Sequence, residues 1–143
     1  MSGATYDTDN IFAKILRGDI PCHKVYEDAD TLAFMDVMPQ SKGHLLVVPK
    51  AASRNLLDAD ATALAKTIPV VQKLANAAKD AFDADGITVM QFNEQAAGQT
   101  VYHLHFHVVP RYEGAGLKPH TGEMEDHGIL AEQAKLVIAA LGG

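Results

Sequence analysis

A single cysteine, Cys22, stands among 143 residues, so an internal disulfide is excluded. The chain contains no run of eighteen apolar residues, which leaves no candidate membrane-spanning helix. Its start, MSGATYDTDN, lacks both a charged lead and an apolar stretch, so no secretory signal is expected. Positive charge is scarce too: twelve Lys and Arg face eighteen Asp and Glu, for a formal net charge of −6, and the basic residues form no stripe. Such a chain lacks the broad field that non-specific DNA or RNA binding needs, although a local site can still hold one phosphate. Internal repeats, low-complexity runs and linkers are missing as well. The expectation is a cytoplasmic protein that binds neither nucleic acid nor membrane. What remains is 48% hydrophobic, enough for the core of one domain spanning residues 1–143.

Patterning along the chain predicts an α+β domain. Residues 1–8 read as a flexible arm. Asp9 or Asn10 caps a short helix, IFAKILRG, which Gly18 ends. HKVYED and TLAFMD read as strands joined by a turn at residues 28–30, and HLLVVPK as a third strand ended by Pro49. The loop VMPQSKG lies between the second and third. Residues 58–84 predict a long helix capped by Asp58 or Asp60. Its apolar stripe is Leu64, Ile68, Val71, Leu74, Ala75, Ala78 and Phe82, and Pro69 should kink it. GITVMQFN and VYHLHFHVVPR supply two more strands, joined by the NEQAAGQT loop. Residues 112–127 look irregular, and GILAEQAKLVIAALGG closes the chain with a helix. Short connections among the first three strands favour an antiparallel meander.

The stretch HLHFHVV places three of the chain's seven histidines at every second position, with Leu104, Phe106 and Val108 between and after them. Alternation at period two is a strand pattern, so His103, His105 and His107 share one face, about 7 Å apart. Three readings compete: a solvated strand face, a zinc site, and a histidine nucleophile beside a histidine acid. His44 opens the third strand just after Gly43, while His23, His120 and His127 read as loop histidines. Asp36 either caps a turn or binds a ribose hydroxyl pair. Asn93, Gln99 and Thr100 flank the loop feeding the histidine strand, where uncharged donors could hold phosphate oxygens. Ile11, Phe12, Phe34 and Val37 read by composition as core.

GQTVYHLHFHVVPR resembles the signature of the histidine-triad family, and DNIFAKILRGDIPCHKVYEDADTLAFMDVMPQSKGHLLVVPK resembles the N-terminal half of its small nucleotide-binding members. The likeness covers about residues 9–112. It implies a five-stranded antiparallel sheet, usually in a homodimer, and cleavage of an α-phosphate bonded to a nucleoside, most simply a purine nucleotide conjugate such as one of AMP. It also implies roles. His105 is the nucleophile, His107 contacts phosphate and assists the leaving group, His103 orients the nucleophile and His44 supports it. Asp36 matches the ribose-binding acid. Ile11, Phe12, Ile15, Phe34, Val37 and Leu46 match the base-pocket wall, and Asn93, Gln99 and Thr100 the phosphate loop.

One departure concerns metal. Some bacterial-type relatives carry Cys-x-x-Cys at the first helix and a histidine after the Pro-Lys that ends the third strand, and bind structural zinc. Here the cysteine positions are Asn10 and Ala13, and PKAAS offers no histidine, so no metal and no cofactor are expected. The two halves also resemble different branches: GQTV and HVVPR are similar to dinucleoside polyphosphate hydrolases, the N-terminal half to phosphoramidases. A non-catalytic nucleotide sensor or partner-binding scaffold in the same fold is the alternative from another class.

Overall fold

Residues 5–119 and 123–142 are described by a computed structural model. Its elements follow the order α1 (Ile11–Leu16), β1 (Lys24–Glu27), β2 (Thr31–Met35), β3 (Leu45–Pro49), α2 (Ala61–Ala81), β4 (Gly86–Met90), β5 (Phe106–Arg111) and α3 (His127–Ala140). Short 3-10 turns at Leu56–Asp58 and Gln95–Ala97 complete them. All strands pair antiparallel in the order β1-β2-β3-β5-β4. The expected meander is present, and β5 inserts between β3 and β4. No helix among the described residues is long and apolar enough to cross a membrane.

Local chemistry sets the element ends. The Asn10 side chain accepts from the Ala13 amide and starts α1. Gly18, at φ +83°, stops it: the Asp19 amide reaches the Lys14 carbonyl and the Gly18 amide that of Ile15. Asp60, not Asp58, caps α2, while Asp58 closes a capping box with Asn55 on the preceding 3-10 turn. So α2 starts at Ala61 rather than near 58, and it continues unbroken through Pro69. Its buried stripe is Thr67, Val70, Val71, Leu74, Ala77 and Ala78. Ile68, expected inside, is 50% exposed, because the sheet meets a face one residue round the helix.

The sheet separates two apolar layers. Ala33, Met35, Leu45, Val47, Phe106 and Val108 face α2 and α3 in the main core. Leu32, Phe34, Leu46 and Val48 project from the opposite face and are covered by Phe12 of α1, with Ile15 alongside. Alternation along β2 and β3 sends neighbouring residues into different layers, which explains why all five residues of each are buried.

Candidate active site

The alternating histidines emerge on the α1 face. His107 pairs with Leu46 on β3 and with Met90 on β4, and Leu46 pairs with Phe34 on β2. Phe34, Leu46, His107 and Met90 therefore form one row across the sheet. Asp36 and His44 bracket the β2–β3 connection, where the Asp36 amide donates to the His44 carbonyl at 3.0 Å. The strand pattern begins earlier than the strand. β5 starts at Phe106, not at 101, because His103 Nε2 bonds the Pro49 carbonyl and the Leu104 amide bonds the Ser53 carbonyl. The lead-in bends at residues 101–103 and does not join the ladder. Nor is the histidine face solvated: His44 and His103 are 0% exposed, His107 4% and His105 7%.

Main-chain groups fix where each ring carries its proton. His105 Nδ1 lies 2.7 Å from the His103 carbonyl oxygen. A carbonyl only accepts, so Nδ1 holds the hydrogen and Nε2 of the neutral ring presents a lone pair. His103 Nε2 donates to the Pro49 carbonyl at 2.7 Å, leaving Nδ1 to accept from the Tyr6 hydroxyl at 2.6 Å. Burial pushes the His103 pKa below the ordinary histidine value, against the upward pull of the Pro49 carbonyl, which favours the neutral ring. On the other side, the Gln40 amide donates to His44 Nδ1 at 3.0 Å, so His44 Nε2 carries a hydrogen and donates to His107 Nδ1 at 2.9 Å. His107 then holds its own hydrogen on Nε2. The outcome is a lone pair on His105 Nε2 and a proton on His107 Nε2, with ring centroids 5.0 Å apart. Asp36 Oδ2 lies 3.4 Å from His44 Nε2, which further favours the hydrogen on that nitrogen.

The same three side chains, Asp36, His44 and His107, bring ligand atoms within 4.8 Å of one another and could be read as a metal site. Their hydrogen bonds argue otherwise. A metal-bound imidazole normally donates its second N–H outward, whereas His44 Nδ1 accepts from the Gln40 amide. A metal on His44 Nε2 would need an imidazolate or a broken Gln40 bond. The arrangement fits a proton. At the family's cysteine positions, Asn10 and Ala13 are joined by the α1 cap, so neither is a soft ligand.

The remaining expected residues divide. Phe12 meets Phe34 edge-on at 5.5 Å and His105 at 4.8 Å, so the apolar wall of Phe12, Phe34, Leu46 and Ile15 abuts the nucleophile. Val37 does not join it but packs against the main core, and Ile11 stands 46% exposed outside the cluster. Asp36 is 3% exposed and accepts from the Met38 amide at 2.9 Å. Asn93 uses one of its two Nδ2 hydrogens on Gln91 and accepts from the Leu56 amide. Thr100 is exposed at the end of the same loop. Gln99 is a brace rather than a phosphate donor. Its Nε2 serves the Arg54 and Val101 carbonyls and its Oε1 accepts from Asn55 and the Glu94 amide, so both amide hydrogens are committed.

Several contributors carried no sequence signal. Tyr6, placed by pattern in a flexible arm, anchors on His103 through its hydroxyl; residues 1–4 of that arm lie outside the described residues. Gln40 and Pro49 act through backbone atoms, which no residue type announces. His23 and His127 bond each other at 3.0 Å away from the triad, and His120 lies outside the described residues. Glu94 adopts φ +76°, ψ 161°, a region kept almost entirely for glycine and costing about 1–3 kcal/mol.

The HIT domain model matches residues 17–114. A crystal structure of a HIT-like protein involved in cell-cycle regulation from Bartonella henselae is 58% identical, with a TM-score of 0.90 over 95% of this chain and 99% of that one. A zinc-bound histidine triad family protein from Mycobacterium smegmatis is 35% identical, with a TM-score of 0.83 over 94% of each chain. Among curated relatives, the adenosine 5′-monophosphoramidase of Schizosaccharomyces pombe is 41% identical over 101 residues, covering 71% of this chain and 73% of that protein.

Proposed function

The chain belongs to the HIT domain family, and on that premise we propose that it hydrolyses a conjugate of a purine nucleoside 5′-monophosphate, most simply of AMP, at the α-phosphate. The observation that carries the proposal is the pair of ring contacts, His105 Nδ1 on the His103 carbonyl and His107 Nδ1 on His44 Nε2, from which opposed tautomers at the two Nε2 atoms follow. The relative named adenosine 5′-monophosphoramidase supports the substrate class, with an amine as leaving group.

Two displacements follow. His105 Nε2 attacks the α-phosphorus, and the new N–P bond forms as the bond to the leaving amine breaks. His107 Nε2 gives its proton to the departing nitrogen, and the negative charge left on its ring is held by the His44 Nε2–H bond and balanced by the cation forming on His105 beside it, until water returns a proton in the second step. The cation left on the nucleotidyl-His105 is delocalised over its ring and bonded through Nδ1 to the His103 carbonyl. Water then attacks, His107 takes its proton, and AMP leaves. The resemblance gives the base to the Phe12–Phe34–Leu46 wall, the ribose to Asp36, and phosphate oxygens to Asn93 and Thr100. A screen of AMP conjugates with amine, acyl and phosphoryl leaving groups tests the reading. Release of AMP from the amine conjugates is expected, whereas tight AMP binding without turnover of any conjugate would favour a nucleotide sensor.

Activity should be independent of divalent metal, because the His44–His107 contact is occupied by a proton and Asn10 and Ala13 offer no thiolate. Exhaustive chelation, verified by elemental analysis, is expected to leave turnover unchanged. Loss restored by zinc alone would contradict this.

A homodimer is part of the same proposal. β4 is a sheet edge with no buried residue, and Val89 on it is 49% exposed, as Ile68 on α2 is 50%. Both belong to elements flanking the helix-covered face, so two edges meeting about a two-fold axis would cover them. Sedimentation at micromolar concentration should read twice the chain mass, and Val89→Lys should shift it toward the monomer. A clean wild-type monomer would remove this part of the account.

A further inference from the structure

Glu94 is held in its glycine-type conformation by its own side chain. Its carboxylate accepts from Arg54 Nε at 2.8 Å and Arg54 Nη2 at 2.9 Å, a bidentate pair, and from Asn55 Nδ2 at 2.7 Å. Its amide donates to Gln99 Oε1 at 2.7 Å, and its carbonyl accepts from the Ala97 and Gln99 amides. The Arg54 guanidinium in turn lies 4.1 Å from the centroid of the Tyr102 ring. Three segments meet here: the stretch after β3, the loop after β4, and the lead-in to the triad.

We propose that Arg54 and Glu94 form a clamp that positions the 93–100 loop and the histidine lead-in for phosphate transfer, with Glu94 as the strained member. The inference rests on the proposed hydrolase reading. The ion pair is only partly shielded, with side chains 19% and 32% exposed, so its worth as general stabilisation is modest. Strain kept at a modestly stabilising contact needs another return, and the surroundings indicate one. Just before Glu94, the Phe92 ring sits 5.7 Å from His107. At the end of the loop, Gln99 ties Arg54 to Val101, and the next residues run directly into His103. Releasing Glu94 would let the peptide before it rotate, withdrawing its amide from Gln99 and loosening Asn93, Thr100 and the lead-in together. Neither residue touches the reacting atoms, so both are positioning residues.

The test exploits the backbone. Glu94→Ala removes the clamp and keeps the strain, so the loop should relax and kcat should fall about tenfold or more, with a smaller change in KM. Glu94→Gly removes the clamp too, but glycine adopts this conformation unaided, so kcat should return to within about threefold of wild type. Arg54→Ala should resemble Glu94→Ala. A purely stabilising contact predicts the same order in melting temperature, since alanine is strained at positive φ and glycine is not, but wild-type kcat in every variant that remains folded. Melting temperatures show whether each variant is folded. Hydrogen exchange at the residue-94 amide supplies a readout without turnover: protection should be lost in Glu94→Ala and kept in Glu94→Gly. If wild type releases no AMP, the hydrolase reading fails while exchange still decides the clamp. Glu94→Ala with wild-type kcat and protection, or Glu94→Gly no better than Glu94→Ala in both, would overturn the proposal.

Discussion

Replacing His105 with alanine is expected to lower turnover of an adenosine phosphoramidate by four or more orders of magnitude, on the order of what removal of a nucleophile costs elsewhere. The expectation follows from the proton positions. His103, His44 and His107 each use a ring nitrogen on a partner that sets its tautomer, and only His105 has Nδ1 pinned to a carbonyl so that Nε2 presents its lone pair beside His107. The substitution removes the bond to the His103 carbonyl and the edge contacts with Phe12 and His107, which costs the fold about 1–3 kcal/mol, so the protein should still fold. AMP binding should persist, since the apolar wall and Asp36 are untouched. His127→Ala, away from the triad, should turn over normally. Near-normal activity in His105→Ala would end the nucleophile assignment.

The loss on replacing His107 depends on what leaves. An amine departs poorly as an anion, so His107→Ala should slow a phosphoramidate by about 10²–10⁴-fold, the usual reach of a general acid. A leaving group stable as an anion, such as p-nitrophenolate, needs no proton, and there the loss should shrink to about tenfold or less. His44→Ala should show the same dependence in milder form, because His44 reaches the substrate only through His107. Parallel losses for both leaving groups would mean that His107 acts on the phosphate alone.

Much of this was legible in residue order. Asn10 and Gly18 mark α1, turn residues separate the meander strands, and alternation puts the triad on one face. The limits are physical. Alternation of residue types does not reveal whether a segment joins a ladder, so residues 101–105 read as strand although the chain bends at 101–103 and its partners are Pro49 and Ser53. Gln99 looked like a phosphate donor because an amide has hydrogens to give; its neighbours Arg54 and Val101 had already taken both. Ile68 fits a helical stripe, yet which arc of α2 meets the sheet is set by packing. Least visible were the tautomers, which depend on a main-chain carbonyl 54 residues away and on a backbone amide at Gln40.

The central claim is a nucleotide carried covalently on His105, and stereochemistry at phosphorus tests it most directly. Each in-line displacement inverts the centre, so two in succession restore it. The substrate would be an adenosine phosphoramidate made chiral at the α-phosphorus with sulfur, hydrolysed in heavy-oxygen water. The account predicts net retention in the adenosine thiophosphate released; net inversion would mean that water attacks in a single step and that His105 is no nucleophile.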